Sequence, residues 1–142
     1  MMSQVKIINE ITKLRNKIKK QKELINYYEV MSHSLGGSDY SVERVDGSRN
    51  LDAPFVKWIY KKIDAEAKLK EMVQDLEQKT SVLSGHLERL ETPEHQMVLM
   101  YRYVLDMPWD EIPAVMSYSI SSVYRLHRDA LFYLKMMIVR DS

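Results

Sequence analysis

The chain has no cysteine among its 142 residues. Disulfides, thiolate-bound zinc and thiol nucleophiles are therefore excluded. Glycine and proline are scarce, four of each, and three glycines (Gly36, Gly37 and Gly47) fall in one stretch. Elsewhere little interrupts a helix. No apolar run is long enough to span a bilayer, so no membrane contact is expected. The first twenty residues, MMSQVKIINEITKLRNKIKK, lack the apolar core of a secretory signal, and the expected location is the cytoplasm. No glycine-rich phosphate loop, GxSxG elbow or HExxH pair occurs. His33, His86, His95 and His127 have no metal-ligand spacing. The expectation is a protein that is not an enzyme, with no catalytic residues, no metal and no cofactor.

A large charge of either sign is also missing, since the net charge is +1. Its distribution is uneven. Residues 1–32 carry seven basic against three acidic side chains, residues 33–92 nine against eleven, and residues 93–142 five against six. The basic part is the first helix, where Lys13, Lys17, Lys19, Lys20 and Lys22 lie largely off the apolar seam. They are expected to be a solvated face, with phosphate or an acidic partner as the sharper use.

What is present is helical periodicity, and the expected fold class is all-α. Ile7, Ile11, Leu14, Ile18, Ile25 and Tyr28 step by four and three along a helix from about Ser3 to Ser32, with Gln21 in one polar slot. Leu69, Val73, Leu76, Leu83, Leu87 and Leu90 repeat the pattern on a helix from about Asp52, its expected N-cap, to Leu90. Thr80 fills the polar slot there, and Phe55, Ile59 and Ile63 extend an apolar face upstream. Between the helices, residues 33–51 read as a Gly/Ser-containing loop. Two seams joined by one loop predict a long antiparallel, coiled-coil-like helical hairpin over residues 1–91. Either seam could instead face a second copy of the chain.

Residues 92–142 read as a separate helical domain. Thr92, Pro93 and Glu94 form a helix start, and Met97, Met100, Tyr101, Val104 and Leu105 its apolar face. Asp106-Met107-Pro108 ends it. A short helix is expected over Trp109–Met116, a tight turn at Ser117-Tyr118, and a last helix capped by Ser119. On that helix Val123, Leu126, Ala130, Leu134 and Met137 make one buried stripe. Ile112, Met116, Tyr118, Val123 and Leu126 fall where a helix-turn-helix needs its locking contacts. The outer face then presents Ser121, Ser122, Tyr124, Arg125 and Arg128, types that reach base edges and phosphates. Pro113 lies within the short helix where a small residue is usual, and Ser117 stands at the usual turn glycine. Met97, Met100, Met107, Met116, Met136 and Met137 cluster here and are read as flexible core filling.

The run YRYVLDMPWDEIPAVMSYSISSVYRLHRDALFYL resembles region four of sigma-70-type factors. It is more closely similar to ArpU/RinA-like regulators of Gram-positive phages and prophages, which share the layout of long helix, linker, long helix and helix-turn-helix. The resemblance implies a phage-type transcription regulator in the host cytoplasm, activating late or packaging genes through host RNA polymerase. It implies double-stranded DNA contacts at Ser119, Ser121, Ser122, Tyr124, Arg125 and Arg128, and leaves room for homo-oligomers through the N-terminal helices. Two rival functions remain: a small-terminase-like DNA-packaging protein, and an adaptor or inhibitor that uses a sigma-like fold without touching DNA.

Overall fold

Helix is the only regular structure among the residues that the computed structural model describes, 5–34 and 53–141. Almost all of the expected 33–51 loop, and the Asp52 cap, lie outside them. The elements are α1 (Lys6–Ser34), α2 (Pro54–Glu88), α3 (Pro93–Leu99), a π-helical turn (Met100–Val104), α4 (Ile112–Met116) and α5 (Ile120–Asp141). None of these helices is long and apolar enough to cross a membrane. The chain packs as two compact units, residues 15–75 and residues 1–14 with 76–142. Both long helices contribute residues to each of the two units.

In the unit of residues 15–75, Ile18 and Gln21 of α1 and Ala65 of α2 are buried. The polar slot of the first seam is filled as its position suggests, because the Gln21 side-chain amide donates to the Ala65 carbonyl at 3.0 Å. Such a bond satisfies a buried amide that would otherwise destabilise the seam. Farther along, the Tyr28 and Trp58 rings lie 5.9 Å apart. Numbers rise on α1 as they fall on α2, so the helices pair antiparallel. Lys62 forms an ion pair with Glu29 across them. The upstream face differs from expectation. Ile59 and Ile63 are exposed, at 38% and 51%, because Trp58, Lys62 and Ala65 turn inward. Leu24, Tyr27, Val30 and Tyr60 are exposed as well.

In the other unit one core gathers Val5, Ile8 and Ile11 of the first helical segment, Leu83, Leu87 and Leu90, Val98 and Leu99, and Ile112, Val123 and Leu134. The second polar slot also has its partner, since the Thr80 hydroxyl donates to the Glu77 carbonyl at 3.1 Å. At the end of α2 the Gln96 side chain donates to the Leu90 carbonyl at 2.6 Å, satisfying a group that helix geometry leaves without a partner. Thr92 is the extended N-cap of α3, though through its carbonyl and not its hydroxyl, with Pro93 in the first turn. The buried face of α3 is Val98 and Leu99; Met97 and Leu105 are exposed. Met100, Tyr101 and Val104 of the expected face are half-buried against this core, and the π-turn, closed by its Leu105-to-Met100 bond, breaks the 3.6-residue register before Leu105. Asp106 then closes the turn at φ 57°.

Candidate nucleic-acid interface

Three residues that the sequence placed in a helix are instead a turn. Glu111 N–H donates to the Pro108 carbonyl at 3.0 Å, and α4 begins only at Ile112. Pro113 therefore stands in the first helical turn, where its missing N–H costs nothing and its fixed φ is suitable. α4 stops at Ser117, whose φ of 62° and ψ of 41° place it in the left-handed region. That is the conformation a turn glycine would supply, and Ser117 adopts it despite its Cβ.

Ser119 then starts α5. Its hydroxyl accepts from the Ser122 N–H at 3.2 Å, which is an N-cap, and it donates to the Ser122 hydroxyl at 3.1 Å. Val123, Ala130, Leu134 and Met137 are buried as one stripe, with Leu126 half-buried beside them. Ile112 and Met116 of α4 are buried too. Tyr118 departs from the expected locking set, because it is 41% exposed.

With that stripe inward, the six sequence-assigned residues occupy different situations. Ser119 and Ser122 are engaged with each other at the cap. Ser121 and Arg125 are exposed, and Arg125 has no ion partner among the described residues. Arg128 is exposed, with the Asp129 carboxylate 3.8 Å from its guanidinium. Tyr124 is exposed on one side, while its ring rests against Trp109 at 5.1 Å. Helical spacing sorts the outward side chains into two rows, Ile120-Tyr124-Arg128 and Ser121-Arg125. Each row starts near the helix N-terminus with a neutral group and ends on a guanidinium.

Behind Tyr124 lies a cluster that periodicity did not reveal. His127 is neither exposed nor free for phosphate. Its Nε2 shares a hydrogen bond with the Tyr103 hydroxyl at 2.7 Å, and its ring stands edge-on to Trp109 at 4.7 Å. Burial, reinforced by the nearby Arg102 charge, lowers its pKa from 6.5 to about 4. Burial likewise raises the Tyr103 pKa. Arg102 closes the cluster, lying over the Trp109 ring at 4.9 Å and donating to the Met107 carbonyl at 2.9 Å. A residue one turn from a buried stripe position, here His127 beside Leu126 and Ala130, is the only sequence signal for this packing.

No group of His, Asp and Glu side chains among the described residues is arranged to hold a metal ion. No known protein family, curated protein or solved structure matches this chain.

Proposed function

We propose that this chain is a sequence-specific DNA-binding transcription regulator. α4, the Ser117 turn and α5 act as a helix-turn-helix, with α5 as the reading helix. The observation that carries this is the division of α5. Val123, Ala130 and Leu134 are fully buried, while Ser121, Arg125 and Arg128 project outward. A short helix that buries Ile112 and Met116 beside a long one leaves that face free to enter a major groove. In line with the resemblance to ArpU/RinA-like regulators, the regulator is of phage or prophage type and activates late or packaging genes through host RNA polymerase. The unit of residues 15–75 serves self-association or polymerase contact. Its exposed Leu24, Tyr27, Ile59, Tyr60 and Ile63 support that use.

The test is retention of sheared DNA from the genome of origin by the full chain, read by sequencing. Enrichment of a few loci is the expected result. Uniform retention at low salt, lost on adding salt, is non-specific binding and would overturn the reading.

One observation favours a second reading. Phe132, Tyr133, Met136 and Val139, on the later turns of α5, are each more than half exposed. Large apolar side chains in such density are what a protein partner covers. An adaptor that binds polymerase without DNA would use them, and would retain no genomic fragment.

A further inference from the structure

The outward rows of α5 carry apolar surface where base reading begins. Reading helices place their N-terminal residues at base edges. Here the Ser119 hydroxyl is committed to the cap, and the Ser122 hydroxyl accepts from it. What remains at that end is Ile120, 40% exposed, the Ser121 hydroxyl, and the Tyr124 ring, 49% exposed and steadied from behind by Trp109. Val115 and Tyr118, on α4 and the turn, are exposed too, at 49% and 41%. In the major groove the one alkyl group on any base edge is the 5-methyl of thymine. One turn farther along, about 6 Å, Arg125 and Arg128 supply cations at the spacing of flanking phosphates or a guanine edge.

We infer that this face recognises thymine methyl groups, with Ile120 and the Tyr124 ring as the contacts and Arg125 and Arg128 anchoring the flanks. The inference rests on the DNA-binding reading and specifies what it reads. The occupant is a thymine-containing duplex, because the apolar end and a guanidinium belong to one row, Ile120-Tyr124-Arg128, with Arg125 on the row beside it. A purely apolar partner would leave both guanidinium groups uncovered.

The experiment uses the full chain and a random-core duplex library containing thymidine. The duplex that survives selection is then resynthesised with deoxyuridine at each thymidine in turn. This removes one methyl group and keeps every base pair. Binding is expected to weaken about four-fold at each contacted position, the effect of about one buried methylene. Ile120→Ser should weaken binding to the thymidine duplex and abolish one of those penalties. Ile120 is exposed, so the variant should melt with the wild type. Equal affinity for thymidine and deoxyuridine duplexes, with sequence selection intact, would overturn the inference and leave the regulator reading standing. Failure to select any duplex would overturn both.

Discussion

His127 and Ser117 show how single residues set the chemistry of this domain. His127 is held neutral between Tyr103 and Trp109. In the unfolded chain its imidazole gains a proton near pH 6.5, but in the folded chain only near 4. Between those values the unfolded state binds more protons, so acid favours unfolding. The melting temperature should therefore fall as the pH drops from about 6.5 towards 4, and His127→Gln should flatten that slope. An unchanged slope in the variant would locate the acid sensitivity elsewhere. Ser117 makes the complementary case through the backbone. A serine at φ 62° carries a penalty that glycine does not. Ser117→Gly should raise stability by about 1 kcal/mol in denaturant titration, because relief of the left-handed strain exceeds the added freedom of the unfolded chain. The position was legible in the sequence as the place where a turn glycine is usual. The His127 pocket was not, because its partners Arg102, Tyr103 and Trp109 come from a π-turn and a loop that no periodicity reports.

At the scale of elements, periodicity succeeded where a helix is long and regular. The seam of α1, its Gln21 slot and the inner stripe of α5 all lie where spacing puts them. It failed at short or irregular pieces. On α3 the fully buried side chains are Val98 and Leu99 in place of Met97, Leu105 faces out beyond the π-turn, and α4 shrank to five residues behind a turn. Nor does spacing say which partner a seam faces. Val5, Ile8 and Ile11 share one core with Val98, Leu99, Val123 and Leu134, together with Leu83, Leu87 and Leu90. A fragment ending at Leu90 therefore loses the cover of all these side chains, each worth about 1.5–3 kcal/mol when buried. Amide exchange in that fragment should be fast over residues 5–11 and 83–90. Protection should persist around Gln21 and Ala65, whose contact lies wholly within the hairpin. Uniform protection along both helices would mean that the hairpin folds without the C-terminal elements.

For the whole molecule, a net charge of +1 means that the proposed affinity for DNA would have to come from where charges lie. Asp106, Asp110 and Glu111 precede the turn, whereas Arg125 and Arg128 stand on the outer rows of α5. The proposal that α5 reads DNA began as residue types at a spacing; Ser121, Tyr124, Arg125 and Arg128 are exposed, while Ser119 and Ser122 are joined to each other at the cap. Two variants measured side by side, for DNA affinity and for thermal stability, test it most directly. Val123→Asp puts a charge into a fully buried site and should unfold the unit that contains α5. Arg125→Ala should leave the melting temperature within the range of an exposed substitution, about 0.5 kcal/mol. It should weaken binding to a selected duplex by about 1–3 kcal/mol if Arg125 meets a base. If Arg125 meets a phosphate, binding should weaken equally on all sequences, with a shallower salt dependence. Unchanged affinity in a folded Arg125→Ala protein would contradict the account and turn attention to a protein partner for that face.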